Sequence, residues 1–566
     1  MSCTKSRKTS GIDRDLAGLQ RYAAVLKTCH NPCMARRGLV PALLLAALII
    51  SAFIGISGND FVPYDDGLYV TGNPAVLAGL SGKGLAWAFT SLGYASNWHP
   101  LTWLSHMGDV QLFGLDARRH HQMNLAIFLA GCLVLLHVLN MATGARWRSF
   151  FAAALFAVHP LRVESVAWVA ERKDVLSFFF GMLTLALWLA WLRRPKSRAA
   201  YAAVVISFLA ALLAKSALVV LPPAMLLLAW WPLGVRDDRP QGPSRLWSSP
   251  AVAGAAWLLA PSAAVAIIAY LAQQAGGGLL VQAAPPFGMR LANALVSPAA
   301  YLGKILFPRD LAVFYPFPTS ISPGTVLAAA LLLAGISIAV WHLRRRFPAV
   351  AMGWLWYLVT LVPTLGLIPV GGQAMADRYT LFPSLGLTVA IVWLIADLAG
   401  KLHLARLATV VSGTGLAVVL VALTRTQVGI WHDGTTLFTH ALNVTRDNWH
   451  IEHEFGVLLA NDRRDGEAET HLREALRLRP DHVLAHYNLA GILFRQRQFA
   501  PAAEEYRQAV RLRPDFAEAH FRLARALAVT GRWEEALPSY EEALRLDPGH
   551  AGALEGQQKA LAALGR

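Results

Sequence analysis

The sequence predicts an all-α protein in two parts, a polytopic membrane domain of about eleven spans and a C-terminal tetratricopeptide-repeat α-solenoid. Three observations lead there. The 566 residues are 55% hydrophobic and only 15% charged, against about 25% charged in a soluble domain. Apolar stretches of ~20 residues, the length that crosses a hydrocarbon core of about 30 Å, recur along most of the chain. Near the C-terminus, Pro480, Pro514 and Pro548 stand 34 residues apart.

Residues 1–38 are polar and basic and are expected in the cytoplasm. No small-residue cleavage signal closes the first apolar stretch, 39–57, which reads as a retained anchor. Further spans are expected at 122–141, 149–168, 175–192, 199–214, 217–232, 250–272, 323–342, 348–369, 379–398 and 405–425, giving a membrane domain over 39–426. Lys and Arg collect on the cytoplasmic side of such proteins. Lys5, Arg7, Lys8, Arg36 and Arg37 begin there. Alternation then brings Arg146, Arg148, Arg193, Arg194, Lys196, Arg198, Arg236, Arg239, Arg245, Arg344, Arg345, Arg346, Lys401 and Arg406 to the same side. The pattern requires that 291–307 lie in the interface or re-enter rather than cross. The net charge of +16 is thus spread as short clusters beside apolar runs, which argues against nucleic acid as a partner. Cys3, Cys29 and Cys33 precede the first span and Cys132 lies within one, so no disulfide framework is expected. Cys29-x3-Cys33 with His30 is too sparse a pattern to indicate a metal.

In the C-terminal part, Ala468, Ala502 and Ala536 recur at the 34-residue period, as do Ala475, Ala509 and Ala543. Leu472, Tyr506 and Tyr540 fill the large slot between them. Small alanines let paired helices approach and proline ends each pair, which is the tetratricopeptide pattern. Three repeats and a C-terminal capping helix occupy 449–566, after a linker and half-repeat helix at 427–448. Such arrays bind polypeptides on a concave face, where Tyr487, Phe494, Arg495, Phe521 and Arg525 are expected. For the two phenylalanines the alternative is helix packing alone.

The spans leave a large outer loop at 58–121. It holds Asp65 and Asp66, then His99, His106, Asp109, Asp116, His120 and His121, with Trp87, Trp98 and Trp103 among them. Glu164, the turn Glu171-Arg172-Lys173-Asp174, Lys215 and Asp377-Arg378-Tyr379 fall toward the same side. An ionisable residue at membrane depth costs about 2.5–3.5 kcal/mol, so a cluster at one mouth argues for an aqueous site. An alternating transporter would concentrate such groups at mid-depth. Carboxylates beside cations suit transfer from a lipid-linked phosphate. Arg or Lys holds the phosphate and its leaving charge, and a carboxylate takes the proton of an attacking hydroxyl. The histidines lack compact zinc-ligand spacing, so no cofactor is required. A divalent metal is compatible with the acidic pair but not indicated. For Glu171 to Asp174 a solvated turn is the alternative; for Arg378 it is a bridge to Asp377 or a topological anchor.

In chain order stand Tyr64-Asp65-Asp66-Gly67-Leu68-Tyr69-Val70, Asn97-Trp98-His99-Pro100-Leu101-Thr102 and His159-Pro160-Leu161-Arg162-Val163-Glu164-Ser165-Val166-Ala167-Trp168. After them come Glu171-Arg172-Lys173-Asp174, the stretch from Phe307-Pro308 to Phe314-Tyr315-Pro316, Ala376-Asp377-Arg378-Tyr379 and the repeats. This combination resembles the transmembrane and tetratricopeptide-repeat O-mannosyltransferase family, in its bacterial branch. The resemblance implies a GT-C glycosyltransferase fold with its active site at the outer face. It also implies a polyprenyl-phosphate-linked sugar as donor, with mannose as the family's sugar, and inverting transfer to Ser or Thr hydroxyls of exported proteins. In related protein O-mannosyltransferases an Asp-Glu pair opens the first outer loop. Asp65 matches that Asp and Asp66 stands where the Glu would be, which implies Asp65 as base and Asp66 as its support. By placement more than by motif, Arg172, Lys173 and Arg378 become candidates for the donor phosphate, Glu164 for a sugar hydroxyl or for fixing Arg172, and His99 for a hydrogen bond to sugar, phosphate or the loop backbone. The frequent Ala, Leu and Arg favour a bacterial inner membrane, with membrane lipids around the spans and the repeats in the periplasm. Two other readings stay open: a transferase that modifies an envelope lipid or polysaccharide, and a non-catalytic membrane-anchored scaffold. A scaffold needs one anchoring helix, which leaves the other spans unexplained.

Overall fold

The apolar stretches read from the sequence are largely helical, several of them as broken helices, in the computed structural model. It describes residues 32–234, 249–276, 285–368, 371–402 and 405–566, with side chains from residue 38 onward apart from Arg406. Lys5, Arg7, Lys8, Cys3, Cys29, Arg236, Arg239 and Arg245 lie outside the described residues, as do the side chains of Cys33, Arg36 and Arg37. Among the described residues, six helices are long and apolar enough to cross a membrane unaided: Ala117–Thr143, Val169–Trp191, Pro250–Ala275, Pro323–Leu343, Pro383–Lys401 and Leu407–Ile430. Arg146–Ala157 and Pro160–Ala167 form a further, bent candidate, turned by 64° at its break. Gly38–Ala52, Arg198–Ala214, Ser216–Trp230 and Pro348–Thr364 are apolar but shorter. The protein is a multi-pass membrane protein. The stretch 291–307 lies on the helix Phe287–Leu306, which carries Arg290 near one end and Lys304 near the other. That helix is not among those apolar enough to count as a span.

Small residues let the membrane helices close on one another. Pro348–Leu361 packs along Pro383–Lys401, and the two meet at Gly353 and Gly386. A Cβ on Gly386 would stand 2.6 Å from the Gly353 carbonyl oxygen and 2.7 Å from Trp356 Cβ. The loop after the first helix is itself folded, with helices Pro74–Leu77, Gly82–Thr90 and Pro100–Phe113. Asn73 and Ser81 cap the first two by accepting backbone N–H bonds. Trp103 anchors this loop: it is fully buried, stacked on Tyr69 at 4.6 Å and edge-on to Trp87 at 5.4 Å.

The chain divides into two compact units. One runs to Asp433 without Phe314–Pro316, and the other joins Phe314–Pro316 to Gly434–Arg566. In the second, Gly434–Val444 precedes three helix pairs: Trp449–Asn461 with Asp465–Leu478, Val483–Arg495 with Phe499–Leu512, and Ala517–Val529 with Trp533–Leu546. Ala551–Ala563 follows them. The two alanine series and Leu472, Tyr506 and Tyr540 are all buried where the helices of each pair meet. Phe314 packs its ring 4.4 Å from that of His450, and its carbonyl accepts from Asn448 at 3.2 Å.

Candidate active site

The bent span shapes the site. Pro160 has no N–H to offer and its ring blocks a continuing helix, so Arg146–Ala157 stops short. His159 braces the break: its Nδ1 accepts from the Leu161 N–H at 3.2 Å, and its Nε2 donates at 3.0 Å to the carbonyl of Ile305, in the last turn of Phe287–Leu306. The chain then passes through three short helical turns, Pro160–Arg162, Val163–Ala167 and Val169–Glu171, before Arg172–Trp191 begins. A second break lies at Lys215, where Arg198–Ala214 gives way to extended backbone. The Thr102 hydroxyl donates to the freed Ala214 carbonyl at 3.0 Å.

These breaks bring three cations and three carboxylates into one buried cluster. Glu171 is its hub, 3.0 Å from Lys173 Nζ, 3.2 Å from Arg378 Nε and 3.3 Å from Lys215 Nζ. Lys215 also reaches Asp174 at 2.5 Å, and Asp174 accepts the Ser165 hydroxyl at 2.9 Å. Glu164 accepts the Arg378 backbone N–H at 2.7 Å and pairs with its guanidinium. Aromatic faces line the same space. Arg378 lies 5.2 Å above Trp168, and Lys173 lies 4.3 Å above Tyr69, distances at which a cation is attracted by the ring.

The acidic pair divides its work. Asp66 is buried and spends both oxygens on backbone amides, Oδ2 on Val62 at 2.9 Å and Oδ1 on Ala170 at 2.8 Å. It thereby ties the loop to the turn that precedes Lys173. Burial pushes its carboxyl up from 3.8 to about 7, opposed by those two amides and by Lys173, and reinforced by Asp65. Asp65 is half-buried and within electrostatic reach of Lys173 and Tyr69. His99 is buried, and burial followed by the fields of Lys173 and Lys215 pushes it down to about 3, so its imidazole is neutral.

Arg172 departs from expectation. It turns away from Lys173 and donates to Asp109 at 2.6 Å, to Ser105 at 2.9 Å, to the His120 carbonyl at 3.1 Å and to Asn124 Oδ1. Its donors therefore hold Pro100–Phe113 against Ala117–Thr143 rather than joining the cluster. Glu164 fixes Arg378, not Arg172. The turn from Glu171 to Asp174 is buried rather than solvated, and Arg378 pairs with Glu164 and Glu171. Sequence reasoning underrated Glu171, Asp174 and Lys215. The available signal was Lys215 alone between two apolar runs.

In the repeat unit, a groove of about 330 Å³ is lined by Tyr487, Asn488, Phe494, Arg495, Arg522 and Arg525 among others. Arg525 lies 4.7 Å over the Phe494 ring, and Arg495 is paired with Asp465 at 2.6 Å. Phe521 stays out of the groove, against His550 at 4.5 Å and Tyr540 at 6.3 Å, which is the packing role.

Residues 456–514 and 493–551 match the model of the tetratricopeptide repeat family. The protein O-mannosyl-transferase TMTC1 of Mus musculus is 31% identical over 163 residues, 26% of this chain and 17% of the relative. TMTC1 of Homo sapiens is 24% identical over 511 residues, 80% of this chain and 57% of the relative. The chain thus spans less than two thirds of the length of these relatives. Among solved structures, the first tetratricopeptide domain of Spaghetti (RPAP3), bound to an HSP90 peptide, aligns at 25% identity over 21% of this chain and 94% of its own. Its TM-score is 0.21, too low to bear on the fold.

Proposed function

We infer that this chain is a GT-C glycosyltransferase of a bacterial inner membrane. It moves a sugar, mannose, from a polyprenyl-phosphate donor to Ser or Thr hydroxyls of exported proteins, with inversion. The observation that supports this best is the buried cluster around Glu171, with the half-buried Asp65 in the field of Lys173. The names of the TMTC1 relatives agree with it. In the reaction, the hydroxyl oxygen attacks the anomeric carbon from the face opposite the phosphate. The bond to the phosphate oxygen breaks, and its electron pair leaves with the phosphate. Asp65 accepts the hydroxyl proton. Lys173 and Arg378 hold the phosphate and its growing charge, exchanging part of their carboxylate partnership for it, while Glu164 keeps Arg378 in position. Asp66 supports Asp65 by fixing the loop, and the neutral His99 bonds a sugar hydroxyl. No step in this scheme calls for a metal. The repeats gather acceptor polypeptides along Tyr487, Phe494, Arg495 and Arg525. The cluster and the repeats face the periplasm, and the N-terminus the cytoplasm.

The test is transfer of labelled mannose from polyprenyl-phosphate mannose to a pool of exported proteins. It compares the purified full-length chain with Asp65→Asn and with Tyr487→Ala/Arg525→Ala. Transfer lost in the first variant and reduced for polypeptides in the second supports the reading. Transfer to free glycans but never to polypeptides would move the enzyme to envelope-glycan modification. No transfer from any polyprenyl-linked sugar would leave the scaffold.

A further inference from the structure

His106, Asp109 and His120 meet in the loop region, beside the proposed transfer cluster. One ligating atom from each falls within 4.8 Å of the others, and all three side chains are buried. The sequence hides this meeting. His106 and Asp109 share a face of Pro100–Phe113, one helical turn apart. His120 returns to them because Gly114, at φ +63°, reverses the chain into Ala117–Thr143. That backbone conformation is one glycine tolerates and other residues avoid.

The hydrogen bonding leaves buried ring nitrogens of both histidines without a partner. His120 Nε2 lies 3.0 Å from the Gly114 carbonyl. A carbonyl only accepts, so Nε2 carries the proton and, in the neutral ring, Nδ1 presents a lone pair. Nδ1 has no hydrogen-bond partner and faces Asp109 Oδ2 at 3.6 Å. A lone pair set against a carboxylate is repulsive unless a positive centre sits between them. Both ring nitrogens of the fully buried His106 also lack a partner, and a buried polar atom left unpaired costs about 1–3 kcal/mol. The surroundings resemble those of a metal ligand set: an imidazole whose far N–H is held by a backbone carbonyl, and a carboxylate oriented by an outer donor, here Arg172.

We propose that His106, Asp109 and His120 bind a divalent first-row transition metal, zinc, as three protein ligands. Two imidazoles and a carboxylate suit zinc rather than magnesium or calcium. The ion joins the two helices that flank Gly114 and so fixes the partners of Arg172, which opens the helix carrying Lys173. It is a positioning ion, and the transfer scheme above stands or falls without it.

Tag-free, full-length protein in detergent is stripped with EDTA, dialysed and titrated with Zn²⁺ alone. Bound metal is read by elemental analysis, and Co²⁺ is substituted for its visible spectrum. Stoichiometric zinc is expected in the wild type and in the control His432→Gln. In His106→Gln and His120→Gln affinity falls by more than the ~10-fold that loss of even an outer partner costs. EDTA lowers the melting temperature of the wild type and leaves that of the two variants unchanged. Wild-type protein that takes up no zinc, or a His106→Gln protein that keeps it, overturns the proposal and leaves water-bridged imidazoles. Should both variants fail to fold, a wild-type cobalt spectrum without the intense bands of a tetrahedral nitrogen–oxygen site overturns it equally.

Discussion

Replacing Glu171 by Gln keeps the size of the hub and removes its charge. Three cations then lose a partner that stood 3.0–3.3 Å away, in a place where Glu171 itself is 2% exposed. Breaking a buried pair from one side costs about 3–5 kcal/mol, because the uncompensated charge stays buried. Arg148 and Asp397 supply the comparison within the same unit. They sit 2.7 Å apart, closer than any contact of Glu171 with its cations, but are 37% and 33% exposed. Asp397→Asn should therefore cost about 0.2–1 kcal/mol. Unfolding in mixed micelles of mild detergent and SDS, followed by the fluorescence of the 18 tryptophans, measures both. The pair Glu171→Gln and Lys215→Met adds a sharper reading. Removing the lysine together with its partner should restore about 0.5–3 kcal/mol relative to the sum of the single changes. A Glu171→Gln loss no larger than that of Asp397→Asn, or strictly additive losses in the pair, would refute a coupled buried network.

Asp65→Asn should lower transfer by about 10²–10⁴-fold, the usual weight of general base catalysis, with the micelle unfolding curve unchanged. Asp66 gives a pH signature. The folded carboxyl holds its proton up to about pH 7 and the unfolded one only to about 3.8, so the folded state binds more protons between those values. Stability should fall as pH climbs through that window and level off above it. Asp66→Asn should remove this slope, read as the difference between wild-type and variant unfolding at pH 5 and pH 8. Gly386→Ala forces its Cβ to 2.6 Å from the Gly353 carbonyl oxygen and should cost about 1–3 kcal/mol as overpacking, visible as a lower melting temperature. Arg172→Lys should reduce the yield of folded protein while leaving the donor KM of the folded fraction unchanged, whereas Lys173→Met should raise that KM.

The elements with a repeating physical constraint were legible in the sequence. A hydrocarbon slab demands apolar runs of fixed length, and stacked helix pairs demand alanine every 34 residues, so apolar helices and repeats both read directly. Of the eleven expected spans, six are long and apolar enough by themselves, with one further bent pair, among the described residues. Within the site, neither the opposite directions of Arg172 and Lys173 nor the buried role of Glu171 was legible. Successive residues on a helix point about 100° apart, and their destinations follow only once the buried face is known. Val169–Trp191 is 67% buried over its apolar window, so periodicity names no face. The meeting of His106, Asp109 and His120 depends on the reversal at Gly114, and ligand spacing read along the chain passes over it. Phe521 packs against His550 and Tyr540, the alternative the sequence left open, since the groove and the interior of a solenoid use the same residue types.

The partners of the charge cluster are made at very different times. Glu164 precedes its partner Arg378 by 214 residues. At the ~5–20 residues per second of synthesis, that gap is roughly 10–40 s. Throughout it, Glu164 lacks Arg378, while Glu171 has first Lys173 and, 44 residues later, Lys215. The nascent bundle therefore cannot settle its polar end until the segment carrying Arg378 has been inserted. A chain arrested before that point lacks the guanidinium that pairs with Glu164 in the folded protein. The contacts that organise the finished site therefore also require that the chain be completed through Arg378.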